Sequence, residues 1–252
     1  MKKVLVINGS PRTENSNSYR LTKAFLKGWQ EVSSDLDIEV LTPQKMNIHP
    51  CLGCYTCWKK TPGRCVQKDD MTEAMEKWQH ADIILWCFPL YFYSLPTQLK
   101  MFMDRLMPSK RPVMQERYDG RGYGTHTTRV DQSHQRNILI ATCGFFTSKG
   151  NFDAVEAQFD LILGRGNYTS IFCGQGEMMP VPMHQERVEE YLGYAVEAGR
   201  DYGTYGIILP ETRKKLDEYI LPKEDFVALG NSYYAHCEKK AREREVAEHT
   251  QL

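Results

Sequence analysis

A chain of 252 residues with 41% apolar and 25% charged side chains has the size and composition of one large soluble α/β domain. Its 32 basic and 32 acidic residues cancel, so no overall field draws it to nucleic acid or to an anionic membrane. No apolar run reaches membrane-spanning length, and Met1-Lys2-Lys3 leads straight into a strand pattern, so a cytoplasmic location is expected. Eight cysteines in such a chain point to metal or redox use rather than to a disulfide framework.

The run Val4-Leu5-Val6-Ile7 predicts a strand covered on both faces. A polar loop follows over residues 8–16, and a helix opens near Asn17-Ser18 with Leu21, Ala24, Phe25 and Leu26 on its apolar side. A strand, a polar loop and a helix N-terminus together make an anion site, because free backbone N–H groups and the helix dipole point at one place. Ser10 and Ser18 add hydroxyls, Asn17 an amide and Arg12 a positive charge, a set that suits a phosphate dianion. The loop contains neither GxGxxG nor GxxxxGK[ST], and Pro11 removes a backbone donor, so recognition shifts towards side chains. The plainer alternative is an ordinary capped helix.

Further along, residues 36–41 read as a second strand near a sheet edge, and residues 42–68 as an irregular loop holding four cysteines. Asp69-Asp70 open a helix to about Gln79, residues 82–88 form a third, strongly buried strand, and residues 97–107 a helix. On that helix Lys100 and Asp104 stand four apart and should pair with each other. Residues 108–136 form a polar connection longer than most, which suggests a subunit contact or a lid. Its Arg121, Arg129 and Arg136 could meet a dinucleotide phosphate, or more simply face solvent or a second subunit. Residues 137–142 give a fourth strand, 153–163 a helix, 168–173 a fifth strand and 184–202 a helix. The tail from Ile207 is charged and helix-prone, above all over residues 232–248. This alternation predicts a doubly wound, five-stranded parallel sheet with helices on both faces.

In such a sheet ligands sit at the carboxyl ends of the strands, where the strand order reverses. The loop after the third strand carries Pro89, Leu90, Tyr91, Phe92 and Tyr93, and three adjacent aromatics in a loop suit a flat ligand ring. Tyr91 and Phe92 are assigned to that ring and Tyr93 to packing, against the alternative that all three close the core. Thr142-Cys143-Gly144 follows the fourth strand, and the glycine permits close approach to a ring edge. Cys143 reads equally as a small buried residue. Cys51, Cys54, Cys57 and Cys65, spaced x2, x2 and x7, could wrap an iron–sulfur cube, hold tetrahedral zinc, or serve as metal-free redox or structural thiols. Cys87, Cys173 and Cys237 fall in strand or helix patterns and are expected to be inert.

Four stretches carry a resemblance: GSPR followed by NS, PLYFYSLPTQLKMFMDR, Thr142-Cys143-Gly144, and CLGCYTCWKKTPGRC followed by Asp69-Asp70-Met71. Together they resemble the flavodoxin-like NAD(P)H-dependent FMN reductases and iron–sulfur flavoproteins from the N-terminus to about residue 175. Pro89, Tyr91, Phe92, Lys100, Asp104 and Arg105 occupy matching positions, while Phe88 stands where the family often has a small polar residue. The resemblance implies a flavodoxin-like three-layer domain over residues 1–206 with a helical C-terminal extension over 207–252. It implies FMN held by Ser10, Arg12, Asn17 and Ser18 at its phosphate, and by Pro89, Leu90, Tyr91, Phe92, Thr142, Cys143 and Gly144 at its ring. It further implies NADH or NADPH as reductant, a [4Fe–4S] cluster on Cys51, Cys54, Cys57 and Cys65, and a homodimer or homotetramer. The chemistry would be the cofactor's, with no acid–base residue indispensable. Two other readings are an electron carrier between protein partners and a cluster-free quinone or nitro-compound reductase.

Overall fold

The structure, a computed structural model, describes residues 1–117 and 123–250. Strands and helices follow in the order β1 (Lys2–Asn8), α1 (Asn17–Val32), β2 (Leu36–Leu41), α2 (Thr56–Lys59), α3 (Met71–His80), β3 (Ile83–Pro89), α4 (Thr97–Asp104), β4 (Lys110–Glu116), β5 (Tyr123–Thr128) and β6 (Arg136–Thr142). They continue with α5 (Asp153–Leu163), β7 (Tyr168–Cys173), α6 (Gln185–Tyr205), α7 (Pro210–Leu216) and α8 (Lys223–Thr250). Five strands form one parallel sheet in the order β2-β1-β3-β6-β7. That is the flavodoxin-like winding, with β1 and β3 flanking the switch point. The expected sheet is present, and β2 lies at its edge.

Successive strand residues alternate between the two faces, and both faces are buried. Ile83, Leu85 and Cys87 of β3 pack with Phe25 and Trp29 of α1 and with Tyr191, Ala195 and Ala198 of α6. Ile84, Trp86 and Phe88 pack with Met75 and Trp78 of α3, Phe102 of α4 and Phe159 of α5. Helices α1 and α6 meet backbone to backbone: a Cβ on Gly28 would lie 1.8 Å from the Val196 carbonyl oxygen, and one on Gly199 1.9 Å from that of Phe25.

Several local expectations are corrected. Residues 108–136 are not simply a loop, because β4 and β5 pair as an antiparallel hairpin. Threonine-rich, alternating β5 could have signalled it. The cysteine segment contains the short helix α2, and Asp69-Asp70 precede α3 rather than opening it. Within the 108–136 connection Arg136 is exposed and donates to the Ser133 carbonyl at 3.2 Å, and Arg129 Nε donates to the Pro108 carbonyl at 3.0 Å. Arg121 lies outside the described residues. The tail is helical from Pro210, and Gln175 clips it to the sheet: Oε1 accepts from Leu221 N at 2.8 Å and Nε2 donates to Leu221 O at 2.9 Å. Phe226 anchors the start of α8, whose side chains from Asn231 to Glu245 are exposed. Among the described residues no helix is long and apolar enough to cross a membrane.

Candidate functional site

The loops after β1, β3 and β6 leave the carboxyl edge of the sheet beside the switch point. The first is a tight, internally bonded turn. Asn8, fully buried at the end of β1, donates through Nδ2 to the Thr13 carbonyl at 3.0 Å and accepts from Ser10 N at 3.2 Å. Ser10 Oγ accepts from Arg12 N at 3.3 Å, and Ser10 is buried while Arg12 is exposed. Gly9 is required sterically, since a Cβ there would come within 2.7 Å of Leu99 on α4.

The helix cap is Ser16, not Asn17 or Ser18: its Oγ accepts from Tyr19 N at 3.2 Å. Asn17 and Ser18 are therefore the first two helical residues, whose amides lie outside the intrahelical bonding pattern and point back at the loop. Ser16 was missed because three adjacent cap-competent residues, Ser16, Asn17 and Ser18, compete for one role. Ser18 is buried with its hydroxyl 3.4 Å from Ser16 Oγ, beside the Cys87 thiol, which burial pushes up to about 11. Buried hydroxyls, two open helix amides and one exposed guanidinium form a cradle that fits a phosphate.

The loop after β3 is a two-residue hairpin. Tyr91 and Ser94 exchange both backbone hydrogen bonds at 3.0 Å, leaving Phe92 and Tyr93 at the tip with φ of +50° and +62°. That left-handed pair is the shape for which Asn-Gly is favoured, and it costs a bulky L-residue roughly 1–2 kcal/mol each. Phe92 is 100% exposed, so its ring gains nothing from the core in return. Tyr93 stacks at 5.3 Å and 17° on Phe145, also half-exposed, so its packing is loop against loop rather than core. Leu90 is buried, its N–H donating to the Thr142 carbonyl at 2.8 Å, and Pro89 is half-buried in register with Thr142. An exposed, strained aromatic tip fits the face of a flat ring.

In the loop after β6, Thr142 and Cys143 are buried and Gly144 is exposed. The Cys143 thiol turns inward, donating to the Thr147 carbonyl at 3.8 Å, and burial pushes it up from its ordinary value. A fourth loop, unassigned from sequence, completes the wall: Gly176 N donates to the Cys143 carbonyl at 2.8 Å and Gln175 N to that of Phe145 at 2.7 Å. Glu177 follows, and its Oε2 lies 3.5 Å from the place a Cβ on Gly144 would take, with burial raising its carboxyl. No motif marks it in the sequence.

At the far end of α4, Cys51, Cys54, Cys57 and Cys65 line one cavity of about 70 Å³. Cys51 and Cys54 are exposed, Cys57 is buried and Cys65 half-buried. Bonds from Thr56 at the start of α2 lower the Cys54 thiol, while burial raises that of Cys57. Among the described residues no three His, Cys, Asp or Glu side chains converge on a point for one metal ion. Arg105 lines the same cavity, its guanidinium bidentate to Asp69 at 2.6 and 2.8 Å with both side chains buried. By contrast Lys100 and Asp104 form the expected exposed pair at 2.6 Å.

Residues 2–159 match the family model described as NADPH-dependent FMN reductase. An iron–sulfur flavoprotein of Archaeoglobus fulgidus is 34% identical over 119 residues, covering 47% of this chain and 52% of that protein. One of Methanocaldococcus jannaschii is 38% identical over 42% of this chain and 52% of that protein. The chain thus spans about half the length of the curated relatives it matches. Among solved structures, an FMN-dependent NADH-azoreductase of Bacillus anthracis superposes with a TM-score of 0.59 at 20% identity, over 81% of this chain and all of that one. An NAD(P)H:quinone oxidoreductase of Methanothermobacter marburgensis gives 0.55 at 20% identity, over 79% and 98%. At that identity the likeness bears on fold alone. The family model covers more than half of the sequence, and the chain belongs to the NADPH-dependent FMN reductase family.

Proposed function

We propose that the chain binds FMN across the crevice at the β1/β3 switch point and passes electrons from NADH or NADPH to an acceptor. The observation that carries this is the convergence there of a phosphate-sized cradle and an unburied, strained aromatic tip. Arg12, Ser10, Asn17 and Ser18 hold the phosphate with the open amides of α1. The Pro89–Phe92 backbone and rings cover one side of the flavin, and Thr142, Cys143 and Gly144 approach its edge with backbone. Bound FMN would supply hydride acceptance from the nicotinamide and onward delivery of one or two electrons. The chain's own share is to orient and to exclude water, with no obligatory proton donor.

Ser10→Ala combined with Arg12→Ala is expected to weaken FMN binding at least tenfold in a fluorescence-quenching titration, through lost charge-assisted bonds. Unchanged affinity in that double variant sinks the phosphate assignment. Replacing the tip by an Asn-Gly pair, through Phe92→Asn with Tyr93→Gly, should raise stability by about 1–3 kcal/mol as the left-handed strain is relieved. The same variant should lose FMN affinity, so thermal melts and titrations should move in opposite directions. A variant both less stable and fully FMN-competent contradicts the assignment of that strain to binding.

The four cysteines extend the proposal: Cys51, Cys54, Cys57 and Cys65 would hold a [4Fe–4S] cluster, as the names of the archaeal relatives suggest. Helix α4 begins just after the ring hairpin and ends at the cysteine cavity, eight residues or about 12 Å apart along its axis. That separation suits electron passage between the two sites, so in the cluster-bearing reading the cluster relays electrons onward from the flavin. Iron and acid-labile sulfide assays on anaerobically purified protein separate it from a cluster-free quinone or nitro-compound reductase. We further take residues 1–206 as the FMN domain and 207–252 as its extension. The exposed α8 then serves contacts in a homodimer or homotetramer, in a reducing cytoplasmic setting that keeps the thiols free.

A further inference from the structure

Arg105 is unusual in what it leaves unbonded. Its Nη1 donates to Asp69 Oδ2 at 2.6 Å and to the His49 carbonyl at 2.7 Å, and its Nη2 to Asp69 Oδ1 at 2.8 Å. Asp69 in turn accepts from the backbone N–H of His49 at 3.0 Å and of Met71 at 3.2 Å, so both carboxylate oxygens are committed. The side chain is 1% exposed, yet its Nε–H has no partner. This donor belongs to a residue that lines the cavity of the four cysteines, and the Cys65 thiol stands beside the guanidinium. A buried donor is satisfied in nearly every well-packed structure, so one left open within reach of the Cys65 thiol points to that sulfur side as its acceptor once the cavity is filled.

We propose that Arg105 is a positioning residue for the metal centre of the cysteine site, donating Nε–H to a sulfur on the Cys65 side. This rests on the cluster reading above. Thiolate ligation brings negative charge into a pocket whose counter-charge is a guanidinium already fixed by Asp69, and N–H···S bonds to cluster sulfurs raise the reduction potential. Asp69 acts only through Arg105, aiming the fork so that Nε faces the thiols. Lysine cannot substitute, because a point charge committed to Asp69 has no second, rigidly directed donor.

The test uses the full-length protein, reconstituted anaerobically with ferrous iron and sulfide, as the parent, as Arg105→Lys, and as Asp69→Asn with Arg105→Gln. Arg105→Lys keeps Asp69 paired, and the double variant removes both charges together, so neither leaves a lone buried ion. Iron and sulfide content, FMN content, cluster midpoint potential from a dye-mediated titration, and the rate of iron loss to a chelator are measured on each. The parent is expected to hold about four irons per chain. Both variants should bind FMN as the parent does, with a lower midpoint potential and iron loss at least tenfold faster. A variant with FMN, potential and chelation rate all equal to the parent's overturns the role of Arg105 while leaving the cluster reading intact. A parent that takes up FMN but no iron overturns both.

Discussion

Gly28→Ala is expected to lower the stability of this protein by about 3 kcal/mol or more, although alanine ordinarily improves a helix by about 0.5–1 kcal/mol. The new Cβ would sit 1.8 Å from the Val196 carbonyl oxygen and 2.7 Å from its carbon, both backbone atoms of α6 that no rotamer change can move. The two helices must separate, and in doing so they loosen the packing of Trp29 and Phe25 against Tyr202, whose rings lie 4.9 and 5.8 Å apart from it. For a domain of this size that loss corresponds to a fall in melting temperature of roughly 10 °C. Gly193→Ala is the matched control. It lies on α6 with nothing within 4 Å of its missing Cβ, and should gain a few tenths to 1 kcal/mol. Thermal melts of the two variants should diverge in sign, and a neutral Gly28→Ala would mean the helices are not in backbone contact.

The central strands were legible in the sequence because they are buried on both faces and so read as unbroken apolar runs, as in residues 83–88, while edge strand β2 showed as alternation. The ring hairpin was half legible. Its aromatics stood out by composition, but the left-handed tip did not, since Phe92-Tyr93 is among the last pairs turn chemistry would place there. The hairpin of β4 and β5 went unseen because β4 is largely exposed and β5 only half-buried, so neither reads as a core strand. The fourth wall of the site, Gln175 to Glu177, is brought to Gly144 by strand order alone, which no local pattern encodes. The same holds for Asp69 and Arg105. The acidic pair before α3 read as a helix opening, and Asp70 accepts from Asn47 N at 2.8 Å, but Asp69 turns away to a guanidinium 36 residues on.

That pair sets the second large effect. Asp69→Asn should cost about 3–5 kcal/mol at neutral pH, because it strands a buried guanidinium with no compensating charge. Asp104→Asn, one residue from Arg105 but on an exposed pair with Lys100, should cost no more than about 0.5 kcal/mol. Burial pushes the Asp69 carboxyl up, but the Arg105 guanidinium and the His49 and Met71 amides outweigh it and hold it well below the usual carboxylate range. A carboxyl depressed in the folded state stabilises the fold above its unfolded value of about 4 and loses that contribution as pH falls through the folded value. Stability measured by urea unfolding should therefore separate parent from Asp69→Asn by a constant amount from pH 5 to 8, the gap closing only below about pH 4. Adding Arg105→Gln to Asp69→Asn should recover part of the loss, since removing both buried charges is far milder than removing one. A double variant no better than Asp69→Asn, or a gap that widens towards acid, would show that the pair is not the buried ion pair of the structure.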